Sequence, residues 1–414
     1  MERSHRYIIR ILAAATLIAV LAAGCGTPEG TAGDSGSRTG VSQTSNAGEE
    51  YVEAEEQETD AAEENEQVQD EGERDPNEPV SREIFAMDTY MSISAYGEEA
   101  DTALDEAEEE ILRLDALLAA EHDDSEIAIL NQSGGGAVSE DTAYLVRRAV
   151  TLHEETDGAF DITVYPLKEL WGFTTQEYRV PSEEEIQETL PVVGTDLIEL
   201  QEAAENDDAP VLVYQKEGVR IDLGGIAKGY TSARVAEIFE KHGVHGMINL
   251  GGNVQLVGPK PDGSLWRVAI RKPESTEDGA IPWLNSDSPQ SEAVGQEDFI
   301  GILETSGQAV VTSGGYERYF EAEGKIYHHI LDASTGYPSD SDLISATVVS
   351  ADGTLADGLS TSIFVMGLDR ATEYWKSHSG DFDMIVMNKN GELFATEGLR
   401  DRFTSGLPIN WLTR

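Results

Sequence analysis

The sequence predicts an α+β fold over residues 80–414, with mixed and antiparallel sheets packed against helices. Apolar and polar residues alternate in "REIFAMDTYMSISAYG" (82–97), which is typical of a strand. Residues 100–118 instead repeat apolar side chains at helical spacing. Strands and helices then follow without a regular strand–helix–strand rhythm and without an internal repeat. This irregular order favours α+β over a doubly wound α/β fold.

Four helices are predicted from spacing and end signals. The first, Ala100–Leu118, aligns five apolar residues on one face: Leu104, Ala107, Ile111, Leu114 and Leu118. The second spans Thr142–Thr156 and is followed by Asp157-Gly158, a common stop signal. The others are predicted at Ile226–His242 and at residues 354–366.

Strands are predicted in the intervening segments. They include Val211–Asp222, a strand–turn–strand at residues 246–258, and short strands from Phe299 to Ser350. A closing hairpin at residues 383–396 has Asn390-Gly391 at its turn. Residues 181–210 are expected to form a surface excursion, and the polar residues 272–298 a loop insertion.

The N-terminus is predicted to be a lipoprotein signal peptide over residues 1–24. Basic residues precede the apolar run Ile11–Ala23, which is too short to span a membrane. The run ends at "LAAGC", and Cys25 is the only cysteine, so an internal disulfide is excluded. Cys25 is therefore expected to carry the lipid that anchors the protein to the extracytoplasmic face of the cell membrane. The alternative is a free thiol at a cleavage site.

Residues 25–79 are predicted to be a disordered acidic tether, because they lack apolar periodicity and are rich in Glu and Asp. An acidic interaction tail is the alternative. The whole chain carries 79 acidic and 28 basic residues, a formal net charge of −51. A nucleic-acid partner is therefore not expected, since polyanions would be repelled.

A glycine turn in "VRIDLGGIAKGYTSARV" is a candidate phosphate site. A predicted strand ends at Asp222, two glycines follow, and a helix begins at about Ile226. Glycines permit close backbone approach, and a helix N-terminus offers free N–H groups to an anion. Lys228 could add a positive charge, and Asp222 could accept hydrogen bonds from a ribose or base. The alternative is an ordinary tight turn with a solvated lysine. The turn "NLGGNV" (249–254) is either a second ligand contact or a simple hairpin.

"TLADGLSTSIF" is a candidate magnesium site at a helix start. Asp357 and Thr361 are four residues apart and share a face, and Ser360 is adjacent. Hard oxygen donors suit Mg²⁺, but one carboxylate and two hydroxyls require a diphosphate substrate to complete the site. The alternative is a capping box formed by Thr354 and Asp357.

Two neighbouring histidines occur in "YHHILDASTGYP" (327–338). On a strand His328 and His329 point to opposite faces, so one of them at most serves a given site. No second His/Cys pair has zinc-ligand spacing. Such a histidine is either a general base or acid, or a residue that packs on the strand.

Eight stretches, taken together, resemble the motifs of the ApbE family, the bacterial FAD:protein FMN transferases. They occur in the family's order and span nearly all of residues 82–405: "AMDTYMSI", "DSEIAILN", "GAFDITVYPLKELWGF", "DLGGIAKGY", "NLGGNV", "SGGYERYF", "HHILDASTGYP" and "TLADGLSTSIFVMG". The resemblance implies an FAD cleft between two lobes and an Mg²⁺-dependent reaction. In that reaction FMN passes from FAD to a threonine of a target flavoprotein through a phosphoester, and AMP is released.

The resemblance also assigns roles by motif. It implies that His329 activates the threonine. It implies FAD contacts from Met87, Ala159, Phe160, Asp161, Asp222, Lys228, Ile330 and Leu331, and Mg²⁺ ligands from Gly225, Asp357, Ser360 and Thr361. Three positions depart from the family pattern. This chain has Glu121 where an aromatic residue is common in the family, Asp88 where the family often has glycine, and Gly315 where an acidic residue or asparagine is frequent.

Two other functions fit parts of the sequence. A flavin-binding or FAD-hydrolysing lipoprotein would keep the FAD site and produce free FMN and AMP. A substrate-binding lipoprotein of a transporter would share the signal and tether, but it would need neither magnesium nor His329.

Overall fold

A nine-stranded, mainly antiparallel sheet organises the computed structural model, which describes residues 75–202, 209–273, 282–285, 294 and 299–414. Apolar residues alternate along the first two strands, while two inner strands, Asn253–Val257 and Leu343–Ser350, are buried along their whole length. Only the last pair of strands is parallel. In spatial order the strands are β1 (Val80–Ala86), β2 (Thr89–Tyr96), β6 (His245–Leu250), β7 (Asn253–Val257), β10 (Ala309–Gly314), β13 (Leu343–Ser350), β14 (Asp383–Asn388), β15 (Leu393–Thr396) and β17 (Ile409–Leu412).

Three smaller sheets extend this framework. One contains β3 (Gly135–Ala137), β5 (Val211–Tyr214) and β4 (Ile198–Gln201); a second contains β16 (Phe403–Thr404), β9 (Phe299–Thr305) and β8 (Trp266–Arg271). The third is the hairpin of β11 (Tyr319–Ala322) and β12 (Lys325–His328). His328 is the last residue of β12 and His329 follows it, so this hairpin positions both histidines.

Seven helices accompany the sheets in the described part of the chain. They are α1 (Ala100–Leu118), α2 (Glu126–Ser133), α3 (Glu140–Glu155), α4 (Tyr165–Leu170), α5 (Glu183–Thr189), α6 (Ala227–Lys241) and α7 (Gly353–His378). All five apolar residues predicted on one face of α1 are buried. Leu104, Ala107 and Ile111 lie in a core shared with β1, β2 and α6, and Leu114 and Leu118 lie in a second core. A larger core joins α3, α6 and α7 to β13 and β14. The α+β prediction is confirmed.

The helix α7 is interrupted at Gly367, whose φ of 77° is not helical. Asp342 fixes the position of the break. Leu368 N donates a hydrogen bond to Asp342 Oδ1 at 3.0 Å. Only glycine fits at position 367, because an added Cβ would lie 2.6 Å from that same oxygen. The sequence predicted a helix only for residues 354–366. The helix in fact continues to His378 after the break, because Ala371 and Trp375 are buried in the core.

Four sequence predictions need correction. Residues 181–210 are not a surface excursion, because they contain α5 with a buried Ile186 and the strand β4, which pairs with β5. The strand predicted to reach Asp222 ends at Tyr214. Residues 75–79, assigned to the disordered tether, form a turn, and Pro76 accepts a hydrogen bond from Gly97 N at 3.0 Å.

The fourth correction concerns the cap of α7. Asp352 is the N-cap, and its side chain accepts a hydrogen bond from Leu355 N at 3.0 Å. Thr354 and Asp357 therefore form no capping box, which leaves Asp357 for another partner. The predicted hairpins at 246–258 and 383–396 are confirmed as β6–β7 and β14–β15.

Residues 75–414 cluster into one compact unit, so any lobes are parts of a single packed body. Within the described residues no helix is long and apolar enough to cross a membrane. The signal peptide (1–24), Cys25 and tether residues up to 74 lie outside the described residues. So does most of the predicted loop insertion at 272–298, although Leu284 and Val294 are buried in a core with β9 and β14.

Candidate active site

The helices α6 and α7 cross at two glycines, and this crossing positions Asp357. A Cβ on Gly229 would lie 2.3 Å from the carbonyl oxygen of Gly353 and 2.5 Å from Cβ of Asp357. The missing side chain therefore allows the helices to touch. Gly229 N donates a hydrogen bond to Asp357 Oδ2 at 2.7 Å, across the contact. The carboxylate is thus held by the backbone of a different helix.

Hydroxyl groups from β10 and α7 lie close to one another, on the turn of α7 that follows Asp357. Ser313 Oγ is 2.7 Å from Ser360 Oγ and 3.3 Å from Thr361 Oγ1. Ser360 is fully buried and donates to the carbonyl oxygen of Asp357 at 2.8 Å. A Cβ on Gly225 would lie 4.0 Å from Thr361 Oγ1 and 3.2 Å from the Phe160 ring. The structure therefore brings together the predicted metal ligands of the glycine turn and α7.

These donors match a hard cation in type, because they are carboxylate, hydroxyl and carbonyl oxygens. Burial raises the pKa of Asp357 to about 6, against the opposing charge of Lys228 and the hydrogen bond from Gly229 N. A buried carboxylate with a raised pKa is one that a nearby cation would stabilise. The described residues contain no group of three or more His, Cys, Asp or Glu side chains that could hold a metal ion. Oxygen atoms of a substrate would have to complete the set.

His329 follows β12 and has a defined tautomer. Its backbone N–H and its Nδ1 both lie near the carbonyl oxygen of Arg318, at 3.0 and 3.1 Å. Because a carbonyl only accepts, Nδ1 must carry the hydrogen, and the lone pair remains on Nε2. Desolvation of the ring, and then the positive charge of Arg318, lowers the pKa of His329 well below its ordinary value. The ring is therefore neutral at pH 7 and can accept a proton at Nε2.

His328 lies in different surroundings, as the strand alternation predicted. Its Nε2 is 3.1 Å from the carbonyl oxygen of Ser339, and its ring packs edge-on against Phe364, with ring centroids 5.4 Å apart. Only 8% of the residue is exposed. Burial lowers the pKa of His328 to about 4. His328 is a packing residue, and His329 is the histidine available to a ligand.

Asp222 lies at the glycine turn and forms an ion pair with Lys168 of α4. Gly224 N also donates to its Oδ1 at 2.6 Å. Burial alone would raise the pKa of Asp222, but the charge and hydrogen bond of Lys168 outweigh it and hold this pKa below its ordinary value. Lys228 lies in the first turn of α6, and its Nζ is 3.5 Å from the carbonyl oxygen of Gly224. Both predicted residues flank the same turn.

Further charges connect the glycine turn to His329. Desolvation by the surrounding protein raises the pKa of Glu317 to about 6, although the positive charges of Lys228, Arg271 and Arg318 oppose this shift. Lys168 lies near Glu121, whose pKa is raised first by desolvation and then by the negative charge of Asp222. Lys228 and Arg318 thus act electrostatically on Glu317, and Lys168 acts on Glu121 and, together with Arg318, on His329. These three cations would favour a ligand with anionic groups.

Met87 and Asp88 form the two-residue turn between β1 and β2, with φ of 48° and 57°. Such a turn requires positive φ at both positions, so Asp88 is an acceptable replacement for the glycine common in the family. Met87 N donates to Asp115 Oδ1 at 2.9 Å, and Thr231 Oγ1 of α6 is 3.8 Å from its sulfur. Asp88 lies 3.9 Å from Arg318. The turn therefore adjoins the site.

The remaining predicted FAD contacts lie deeper in the protein. Asp161 accepts hydrogen bonds from the backbone and hydroxyl of Thr163 and from Thr195 N, and its side chain is 2% exposed. Ile330 and Leu331 belong to two cores, with 6% and 8% exposure. Ala159 directly precedes Phe160, whose ring borders Gly225. Whether these residues contact a ligand stays a prediction. In the structure they are mostly buried, and Phe160 packs next to the glycine turn at Gly225.

Three participating residues were missed by the sequence analysis: Lys168, Ser313 and Arg318. Each lies inside a stretch already singled out, "GAFDITVYPLKELWGF" or "SGGYERYF". Their partners are distant in sequence: Lys168 meets Asp222, and Ser313 meets Ser360. Charge or hydroxyl chemistry within a recognised motif was the available signal, but spacing along the chain did not reveal the pairs.

Fold and site together define an α+β protein in which a neutral, partly exposed histidine lies near Arg318 and a charged glycine turn. The family model described as "ApbE family" matches residues 87–386. The chain belongs to the ApbE family.

Individual relatives agree with this assignment. The FAD:protein FMN transferase of Klebsiella pneumoniae (strain 342) is 32% identical over 298 residues, covering 71% of this chain and 84% of that protein. The FAD:protein FMN transferase of Vibrio cholerae is 33% identical over 274 residues, covering 65% of this chain and 74% of that protein. The crystal structure of the ApbE protein from Thermotoga maritima has a TM-score of 0.68 and 31% identity, covering 78% of this chain and 99% of that one.

Proposed function

We propose that this protein transfers the FMN moiety of FAD to a threonine hydroxyl of a target flavoprotein. The relatives named FAD:protein FMN transferase support this reaction, and the tautomer of His329 is the structural observation that carries it. The threonine Oγ forms a bond to the phosphorus of the FMN phosphoryl group. The bridging P–O bond breaks, and AMP leaves with the bridging oxygen. FMN remains attached to the target as a phosphoester.

His329 acts as the general base in this reaction. Arg318 fixes hydrogen on Nδ1, so Nε2 takes the hydroxyl proton as the O–P bond forms. The low pKa keeps the ring neutral before the reaction, and the resulting imidazolium then loses its proton readily. The ring packs near Phe173, with centroids 6.5 Å apart, which limits its rotation. The histidine therefore begins each cycle in the required protonation state.

The pyrophosphate is expected at the glycine turn before α6. Backbone N–H groups at this helix start, together with Lys228, favour an anion there. Lys168 and Arg318 supply further positive charge near His329. These groups hold the phosphoryl group undergoing attack close to the base, which is the main contribution that a protein makes to phosphoryl transfer.

The oxygen donors beside the glycine turn are proposed to hold Mg²⁺. Asp357, Thr361, Ser360 and the carbonyl of Gly225 are the residues that fit, and Ser313 supports two of them through its hydroxyl. Bound there, Mg²⁺ would neutralise charge on the phosphoryl oxygens and on the leaving AMP. The carboxylate of Asp357 is held in place by Gly229 N even before a cation binds.

We further propose that Cys25 carries the lipid anchor, which places the enzyme on the extracytoplasmic face of the cell membrane. The basic start, the apolar run and the single cysteine after "LAAG" support this location. Target flavoproteins in the same compartment, such as subunits of membrane electron-transfer complexes or secreted flavin reductases, would then be within reach of the tethered enzyme.

Mass spectrometry of an acceptor domain tests the reaction. The full-length protein would be incubated with FAD, Mg²⁺ and a flavoprotein domain that contains an acceptor threonine. We expect a mass gain equal to FMN, lost with EDTA and lost when the acceptor threonine is replaced by alanine. Release of free FMN and AMP without an adduct would instead indicate the FAD pyrophosphatase, in which water replaces threonine. Bound FAD without either product would contradict both enzymes.

A further inference from the structure

Two exposed aromatic side chains stand at the tip of the β1–β2 hairpin. Phe85 and Tyr90 are 60% and 56% exposed, although both are large and apolar. They are directly paired across the two strands, and their rings meet edge to face with centroids 5.0 Å apart. Ser81, Glu83, Ser92 and Ser94 on this outer face are polar, and Tyr96, at the far end of β2, is only partly exposed and packs against Trp266. The exposed aromatic pair therefore lies one residue pair from the turn, next to Ala86 and Thr89.

A short series of contacts links this aromatic pair to His329. Met87 and Asp88 separate Phe85 and Ala86 from Thr89 and Tyr90, so the rings flank the turn itself. Asp88 lies 3.9 Å from the guanidinium of Arg318. The carbonyl oxygen of Arg318 accepts the hydrogen bonds that fix His329. The aromatic pair thus lies at the edge of the proposed site.

Hairpin stability alone is a weak reason for these rings. A cross-strand aromatic pair contributes only about 0.2–1 kcal/mol. The hairpin already buries Ile84, Ala86, Met91 and Ile93 on its inner face, against α1. Exposed paired aromatics beside a site are more typical of a surface that another molecule covers.

We propose that Phe85 and Tyr90 are the docking surface for the acceptor protein, which would place an apolar side chain against the rings while its threonine reaches His329. This inference rests on the proposed transfer to a protein. A small-molecule acceptor would need no such surface, whereas a protein must be oriented before one hydroxyl can approach Nε2. Aromatic anchors next to the reacting groups provide that orientation.

The position of the hairpin favours a protein over a membrane as the occupant. The preceding chain enters β1 at Val80, at the end of the strand opposite the turn. Five residue steps at about 3.3 Å each put Phe85 roughly 17 Å from that entry point. The chain that leads to the proposed anchor at Cys25 therefore joins the strand at the end away from the rings. The nearby Glu83 and Asp88 are exposed acids, which an anionic lipid surface would repel.

A double variant, Phe85→Ser with Tyr90→Ser, tests the docking surface. In the full-length protein we expect the KM for the acceptor domain to rise about tenfold or more, as for loss of aromatic anchors. The kcat at saturating acceptor and the affinity for FAD should stay unchanged, because neither ring belongs to the catalytic or FAD-binding residues. Ile129→Ser is the matched control, since Ile129 is 52% exposed on α2, and its KM should equal that of the unaltered protein.

Other outcomes would overturn the inference in identifiable ways. An unchanged KM would show that the acceptor docks elsewhere. A lower FAD affinity with an unchanged KM would assign the rings to the shape of the Met87–Asp88 turn. Weaker binding to phosphatidylcholine and phosphatidylglycerol vesicles, with an unchanged KM, would identify a membrane surface. Failure of the proposed function itself is distinguishable, because the unaltered protein would then form no adduct at all.

Discussion

His328 and His329, at the end of β12, are neighbours in sequence but lie in different environments on opposite sides of the strand. On the inner side, His328 donates from Nε2 to Ser339 and packs against Phe364. On the outer side, His329 donates from Nδ1 to Arg318 and is only partly buried. Both rings are neutral at pH 7, but their free nitrogens differ. Nδ1 of His328 is buried without a partner among the described residues, whereas Nε2 of His329 can meet a ligand.

This difference shows that the choice of nitrogen bonded to a carbonyl, together with the packing around the other nitrogen, decides which histidine has an accessible lone pair. A carbonyl beside one ring nitrogen sets the tautomer, and the packing around the other nitrogen sets its access to protons. The buried nitrogen of His328 has no route to a substrate hydroxyl. Two consecutive residues thus provide one buried packing histidine and one partly exposed histidine, to which the proposed function assigns the role of base.

Replacement of the outer histidine should have the largest effect. In His329→Ala we expect FMN transfer to fall about 10²- to 10⁴-fold, the usual contribution of a general base. FAD affinity should change little, because the ring is assigned to proton transfer and not to binding. Isothermal titration with FAD and mass spectrometry of the acceptor measure the two quantities. Partial rescue of transfer by added imidazole would support the base, while an equal loss of FAD affinity would make His329 a structural residue.

The inner histidine should affect stability through pH. The folded-state pKa of His328 is lowered to about 4, so only the unfolded chain takes up this proton between pH 6.5 and 4. The contribution is complete above pH 6.5 and is lost as the pH falls, by about 3 kcal/mol at 1.36 kcal/mol per pKa unit. Urea unfolding of the protein and of His328→Gln at several pH values measures the difference. The variant should lose less stability on acidification; parallel curves would contradict the assignment.

A smaller effect is expected from a methyl group placed against the inner ring. A Cβ on Gly315 would lie 2.8 Å from His328 Cδ2 and 3.2 Å from Trp283. Gly315→Ala should therefore cost about 1–2 kcal/mol of unfolding free energy through overpacking. Gly380→Ala is the control, because a Cβ there meets nothing within 4 Å. Thermal unfolding gives the cost, and transfer per folded molecule should stay within about twofold. A large loss of transfer without a loss of stability would mean that Gly315 touches the substrate.

The helices with one strong apolar stripe were predictable because local periodicity alone defines them. The predicted bounds of α1 match the structure, and those of α6 differ by one residue at each end. The segment 181–210 was mistaken for a surface excursion, because α5 is short and its burial of Ile186 depends on α4 and on the turn at Gly336. Tertiary packing of that kind leaves little trace in local sequence.

The candidate site was predictable where a motif held several functional atoms. Asp357, Ser360 and Thr361 share one helix, and Asp222 and Gly225 share one turn. The structure adds the distant partners, such as Gly229 for Asp357 and Lys168 for Asp222. The role of Gly229 could not be inferred, because it depends on the crossing of two helices. Asp161 shows the same limit, since hydrogen bonds to Thr163 and Thr195 engage its carboxylate.

The break at Gly367 separates the orientation of the site residues from changes in the second half of α7, residues 368–378. In an uninterrupted helix, one inserted residue rotates everything beyond it by about 100°. Here the chain leaves helical geometry at Gly367, and Asp342 fixes the restart at Leu368. An insertion after Leu368 would displace the buried side chains of Ala371 and Trp375, but the break stops it from rotating the helix before Gly367. Asp357 and Thr361 would keep their orientation, so chimeras with relatives can exchange the outer segment without reorienting these two residues.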